Sequence, residues 1–196
     1  MSRPYKMTAR AAAAERTAQQ LIAATQALFV ERPFHELTLE LVAERAGVTL
    51  QTLLRRFGSK SGLLAAAAAD GQARVEAQRQ EATPGDTPGA IANLFDHYEA
   101  WADVALRLLA QEDSLEEIAA ITRRGRATHV AWIERVFAAD LTLRRGRARA
   151  VLRGQLVAVC DVYVWKILRR DLALSRAEAE RAVRGTVAGI LGTASE

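Results

Sequence analysis

The chain has 196 residues, half of them apolar, and 27 Lys/Arg against 23 Asp/Glu give it a formal charge of +4. That length suits one small domain joined to a larger one, or a single helical unit. The single cysteine, Cys160, excludes an intrachain disulfide framework and a multi-cysteine metal cluster, and no apolar run approaches the roughly 18 residues of a membrane span.

Ala, Leu and Arg abound while β-branched runs are scarce, so an all-α chain of about nine helices without strands is expected. Residues 1–14, with Arg3, Lys6 and Arg10, read as a basic flexible arm. No apolar core of a secretory signal follows it, and a soluble cytoplasmic protein is expected. A first helix runs from Glu15 to about Arg32, with Leu21, Ile22, Thr25, Leu28 and Phe29 on one side, and Pro33 stops it.

Residues 38–60, TLELVAERAGVTLQTLLRRFGSK, carry the functional signal. Leu39, Val42, Ala43 and Ala46 fall at helical spacing and form an apolar stripe. Gly47 stands where a left-handed residue reverses the chain with little strain. Val48 packs inward, and Thr49 is a good N-cap for a second short helix. Leu53 and Phe57, four apart, anchor that helix and leave Leu50, Gln51, Thr52, Arg55 and Arg56 facing outward. Two short helices held at an angle by a tight turn place one of them in a DNA major groove. There Gln pairs with adenine, Thr meets a base edge or a thymine methyl, and Arg binds guanine or phosphate. Gly58 ends the helix, Ser59 caps the next, and Lys60 falls in a first turn suited to a phosphate.

The fourth helix extends to about Arg79. Residues 83–89, TPGDTPG, mark the clearest boundary, with Thr87 as N-cap and Pro88 in the first turn of a new helix. That helix carries Ile91, Leu94, Phe95, Tyr98, Trp101, Ala105 and Leu108. Ser114 with Glu117 and Ser175 with Glu178 are capping-box signatures. Residues 142–171 read as the longest helix, apolar along two stripes: Leu152, Leu156, Val159 and Tyr163, then Val157, Cys160, Val164 and Leu168. Two stripes suggest burial against two partners. The last helix places Ala182, Gly185 and Gly189 on one face, and interior glycines call for close approach by a neighbouring helix. Asp161 interrupts the long helix and is expected to pair with an arginine.

Charge is uneven. Residues 1–80 hold 11 Lys/Arg against 7 Asp/Glu, and residues 81–196 hold 16 against 16. The whole excess sits with the two short helices, where attraction to phosphates would act. Catalysis is not expected. His35, His97 and His129 stand far apart, and there is no His-x-x-x-His pair or Gly-x-Ser-x-Gly elbow. Glu112, Asp113, Glu116 and Glu117 read as an acidic helix N-terminus.

Residues 17–65 resemble the DNA-binding domain of the tetracycline-repressor (TetR/AcrR) family of bacterial transcription regulators. The residues that carry the likeness are Phe29 and Phe34, Thr38, Val42, Ala43, Ala46, Gly47, Val48, Thr49, Thr52, Leu53, Phe57, Ser59 and Lys60. Three positions depart from the family pattern. Leu54 replaces a tyrosine that meets the DNA backbone, Gln51 a frequent glycine or alanine, and Gly62 a frequent glutamate. The loss at Leu54 leaves a phosphate contact for Arg55 or Arg56 to supply.

The resemblance implies a DNA-binding domain over residues 15–65, a linking helix to about residue 80, and a ligand-binding and dimerisation domain over 81–196. The implied function is a dimeric repressor released from a palindromic double-stranded operator by a small-molecule effector, with no metal or cofactor and no membrane partner. The candidate DNA contacts are Thr38, Thr49, Leu50, Gln51, Thr52, Leu54, Arg55, Arg56 and Lys60. Tyr98, Trp101, His129, Trp132, Val159 and Tyr163 are candidate ligand residues. Val157, Val164, Leu168, Ala182, Gly185 and Gly189 are candidate dimer contacts, through a four-helix bundle. The alternative is a ligand- or protein-binding helical module without sequence-specific DNA binding.

Overall fold

The computed structural model describes residues 3–192, with side chains from residue 10 onward. The described residues are helical, with no strand among them. They form two compact units, Met1–Gln72 and Ala73–Glu196.

The first unit holds α1 (Arg3–Glu31), a 3-10 turn (Phe34–Glu36), α2 (Leu39–Arg45), α3 (Leu50–Phe57) and the start of α4 (Lys60–Gln80). Where a basic flexible arm was expected over residues 1–14, the chain is helical from Arg3. Ala9 and the run of alanines at 11–14 are the strongest helix formers, and nothing before Glu15 breaks the helix. The side chains of Arg3 and Lys6 lie outside the described residues. Leu21, Ile22, Leu28 and Phe29 are buried with Leu37, Val42, Leu53, Leu63 and Leu64. Each such large side chain contributes about 1.5–3 kcal/mol when taken out of water. Thr25 joins this apolar face because its hydroxyl donates to the Leu21 carbonyl at 2.7 Å. Gln26 Nε2 ties α1 to α4 by donating to the Ala67 carbonyl at 3.0 Å.

The second unit continues from the end of α4 into α5 (Thr87–Gln111), α6 (Glu116–Val136), α7 (Ala138–Thr142), α8 (Gly146–Val159), α9 (Val162–Lys166) and α10 (Arg176–Leu191). A π turn over Ile167–Asp171 prolongs α9. Ile91, Leu94, Phe95, Ile133, Phe137, Leu141, Leu156, Val183 and Val187 make the core. α5 packs on α6, α9 and α10, and Arg176 pins α10 to α5 through Asp96 at 2.6 Å.

Local capping differs from the sequence expectation at two helices. Asp86, not Thr87, caps α5 by accepting from the Gly89 amide at 3.0 Å. Ser114 donates back to the Gln111 carbonyl at 2.6 Å, so the N-cap of α6 is Leu115, without a side-chain bond. The expected box at Ser175 and Glu178 is complete.

The expected single helix over residues 142–171 is broken. Cys160 leaves helical geometry (φ −92°, ψ 11°) and Asp161 is extended (φ −78°, ψ 153°). The Asp161 carboxylate accepts from the Tyr163 amide at 2.9 Å, so its partner is a helix N-terminus and not an arginine. The break resets the helical phase. Val162 and Trp165 turn into the core, while Tyr163 turns out and is half exposed.

His97 belongs to the core of the second unit, beside Tyr98 at 5.2 Å between ring centroids. Burial pushes its pKa down to about 3, helped by the positive charge of Arg79. The unfolded chain takes up that proton near the ordinary value of 6.5. The stability from neutral His97 is therefore complete above pH 6.5 and declines as pH falls toward 3, by about 1.4 kcal/mol per pH unit. His129, also lowered by burial, adds to the same trend. Urea midpoints are expected to fall between about pH 7 and about pH 5, with a shallower fall in His97→Gln. Parallel slopes in the two proteins would refute this assignment.

Candidate functional site

In the first unit the site is built by the way α2 ends. Gly47 adopts φ 67°, and the Gly47 amide donates to the Glu44 carbonyl at 3.0 Å. The Val48 amide donates to the Ala43 carbonyl at 2.9 Å. These two bonds are the Schellman pattern, which satisfies the last carbonyls of the helix and reverses the chain. Thr38 caps α2 through the Leu41 amide at 3.2 Å. Thr49 caps α3 through the Thr52 amide, also at 3.2 Å. Arg45 grips Glu31 with two bonds of 2.9 and 2.7 Å, fixing α2 to α1.

α3 is therefore held by one side. Leu53 is fully buried and Phe57 half-buried, whereas Gln51, Leu54, Arg55 and Arg56 are exposed. Leu50 and Thr52 are half-buried, and the Thr52 hydroxyl pairs with that of Thr49 at 2.9 Å. Arg56 bonds Glu15 of α1 at 2.9 Å, an exposed pair whose median worth is about 0–1 kcal/mol and which is easily exchanged for a phosphate. Lys60 has an internal task. Its ammonium donates to the Phe34 carbonyl at 2.8 Å and lies 4.1 Å above the Phe34 ring, and burial lowers its pKa. Gly62 also acquires a reason. A Cβ there would run into the Phe57 carbonyl oxygen, so the close join of α3 to α4 has no room for the glutamate usual in the family.

In the second unit, Tyr98 and Trp132 are buried, Trp101, His129 and Val159 half-buried, and Tyr163 exposed. The structure brings Tyr98, His129 and Trp132 together around a residue that the sequence did not single out, Arg79 of α4. Arg79 is only 5% exposed. Its guanidinium carbon lies 4.8 Å from the Trp132 ring centroid and 5.5 Å from that of Tyr98. Burial lowers its pKa, and the Tyr98 hydroxyl opposes that shift; no carboxylate is among the groups that act on it. An effective burial penalty of several kcal/mol per ion stands against two ring contacts of about 0.5–2 kcal/mol each. The charge is left under-compensated. An arginine in the last turn of a helix reads in sequence as a solvated partner of the helix dipole, and no pattern would have flagged it.

The remaining polar groups of this cluster are kept neutral. The Tyr98 hydroxyl donates to the Cys160 carbonyl at 2.8 Å, at the break between α8 and α9. His129 Nε2 bonds the Val157 carbonyl at 3.1 Å and its ring stacks on Trp132. Burial pushes the Cys160 thiol up to about 12, so it behaves as a small apolar side chain.

The candidate dimer residues occupy the outside of the same unit. Val157, Val164 and Leu168 are half-buried, and Ala182, Gly185 and Gly189 are exposed. A Cβ added at Gly185 or Gly189 would meet nothing within 4 Å among the described residues, so none of these explains the two glycines. Val151, Tyr163, Ile167 and Leu172 are further large apolar residues left exposed. A cleft of about 450 Å³, lined by Leu143, Val151, Leu152, Ile190 and Leu191 among others, also opens on this unit, and none of the candidate ligand residues borders it.

Comparison with known proteins agrees with the first-unit geometry. Residues 21–67 match the family model for bacterial regulatory proteins of the tetR family. A Pseudomonas aeruginosa PAO1 protein to which a transcriptional-regulator role is ascribed superposes with a TM-score of 0.71 at 18% identity, covering 91% of each chain. A transcriptional regulator from Rhodococcus sp. Rha1 gives 0.70 at 19% identity, covering 89% of this chain and 96% of that one. No curated protein matches the chain. No helix among the described residues is long and apolar enough to cross a membrane. The helix-turn-helix described above thus lies inside the segment, residues 21–67, that matches the tetR family model.

Proposed function

We propose that the protein is a homodimeric repressor that binds a palindromic operator and leaves it when a small-molecule effector occupies the second unit. The observation that carries this reading is the exposed row Gln51, Leu54, Arg55 and Arg56 on a helix anchored from behind by Leu53. Gln51 offers both a donor and an acceptor to adenine. Arg55 and Arg56 supply charge for phosphate, and Thr38, Thr49, Leu50, Thr52 and Lys60 frame the contact. Leu54, 40% exposed, meets the duplex through apolar contact alone.

Dimerisation is supported by the unpartnered apolar and small-residue surface of α8, α9 and α10. A two-fold pair through Val157, Val164, Leu168, Ala182, Gly185 and Gly189 lets helices approach closely, and its symmetry matches that of a palindrome with half-sites one helical turn, about 34 Å, apart. Tyr98, Trp101, His129, Trp132 and Val159 supply the effector site. Exposed Tyr163 fits the dimer face better than the interior.

Selection of bound genomic fragments should return a palindromic motif; recovery of fragments without any shared motif would sink the repressor reading. A helical module that binds ligand or protein alone would retain no duplex in a mobility shift at low salt. Arg56→Ala should weaken binding to all sequences and reduce the salt slope by about 0.9. Gln51→Ala should cost about 1–3 kcal/mol and chiefly relax base preference at one position. Gly189→Trp should convert dimers to monomers in sedimentation, and an unchanged mass at low concentration would count against this interface.

A further inference from the structure

Arg79 is the least expected buried group in the second unit. Its Nη1 has no hydrogen-bond partner among the described residues. Nδ1 of His97, Nδ1 of His129, Nε1 of Trp132 and Nε1 of Trp165 are equally buried and unpartnered. Native interiors seldom leave such groups unsatisfied, and each one wants an explanation. Here they share a neighbourhood: the charge of Arg79 acts on His97 and His129, its guanidinium faces Trp132, and Trp165 lies 6.1 Å from Tyr98 between ring centroids. The groups come from α4, α5, α6 and α9, so the neighbourhood is a convergence of helices and not a run along one of them.

We propose that this cluster is a binding site for a small organic acid, whose carboxylate seats on the Arg79 guanidinium and whose apolar body packs against Tyr98 and Trp132. The inference rests on the regulator reading for its biological consequence. Arg79 is the positive charge among neutral imidazoles and indoles, and the Asp161 carboxylate, which also acts on Tyr98, His129 and Cys160, is engaged by the Tyr163 amide; a monoanion therefore suits the guanidinium, and a dianion would stand against Asp161 as well. The indole N–H groups of Trp132 and Trp165 are donors, which a carboxylate accepts and a cationic or purely apolar ligand does not, whereas neutral His129 donates through Nε2 to Val157 and presents Nδ1 as an acceptor. The rings of Tyr98 and Trp132 already flank the guanidinium and provide a flat apolar wall.

The backbone of α4 around Arg79 is held in place for such a role. Arg135 donates to the carbonyls of Arg79 and Ala82 at 2.6 and 2.7 Å. Gln78 and Asn93 exchange two bonds of 2.7 and 2.8 Å. The end of α4 is thereby fixed to α5 and α6 while the Arg79 side chain points inward. α4 itself starts at Lys60, directly after α3. A ligand that prefers one setting of α4 over another therefore has a covalent route to the helix-turn-helix.

The test uses the full chain with sodium benzoate and sodium hexanoate as probes, and with benzamide and sodium chloride at matched concentration as controls. Thermal unfolding and tryptophan emission are followed in wild type, Arg79→Lys and Arg79→Met. The acids should raise the wild-type Tm by about 2–4 °C or more near saturation and alter its emission, where benzamide and chloride do neither. Arg79→Lys should keep a weaker response. Arg79→Met should lose the response, yet melt at or above the ligand-free wild type because an unpaired buried charge has gone. The proposal is overturned if neither acid shifts wild type beyond sodium chloride, or if Arg79→Met responds as wild type does. Mobility shifts on the same samples separate the two readings. Acid binding without operator binding would sink the regulator reading alone, and operator binding without acid binding would sink the ligand site alone.

Discussion

The hydrogen bond from the Val48 amide to the Ala43 carbonyl, possible because Gly47 sits at φ 67°, is the constraint on which the N-terminal unit depends. A residue with a side chain would hold that left-handed geometry at a cost of about 1–2 kcal/mol, and a loosened turn would release the angle between α2 and α3. With the turn closed, Thr49 caps α3 and Leu53 becomes its buried anchor. The polar residues of the helix then have nowhere to go but outward. One backbone reversal thus converts an apolar anchor into an exposed reading edge.

The second unit is organised around a different tension. α8 and α9 are separated by a corner at Cys160 and Asp161, and both sides of it are satisfied: Tyr98 donates to the freed Cys160 carbonyl, and Asp161 caps the next helix. The same Tyr98 ring faces Arg79. A tyrosine that closes a helix end is therefore also a neighbour of the buried charge. This coupling gives a chemical reason for a ligand at Arg79 to be felt at the corner, and from there along α9. Outside, the same corner exposes Tyr163 and Ile167 beside half-buried Val164 and Leu168.

Much of this was legible before any coordinates. Local rules, namely periodicity, glycine in the left-handed region and hydroxyl caps, act within a few residues, and they located α2, the Gly47 turn, α3 and the capping box at Ser175 and Glu178. They failed where two local signals compete. Asp86 outcompetes Thr87 as cap of α5 because it reaches the Gly89 amide. Ser114 folds back onto Gln111, and the alanines before Glu15 extend α1 through a segment whose charge suggested a tail. The long helix was misread because an unbroken apolar pattern hides a phase change: Asp161 accepts a backbone amide, and only then do Val162 and Trp165 replace Tyr163 on the inner side.

By itself the sequence determined the all-helical class, the helix-turn-helix and the exposure of Gln51, Arg55 and Arg56 on α3, since these follow from contacts between residues near one another in the chain; Leu50 and Thr52, expected outward, are half-buried. Tertiary structure alone decided that Arg79 is buried and that Lys60 is bound to Phe34. Those outcomes depend on which surfaces meet across tens of residues. A charged residue carries no mark of its eventual neighbour until the helices have packed.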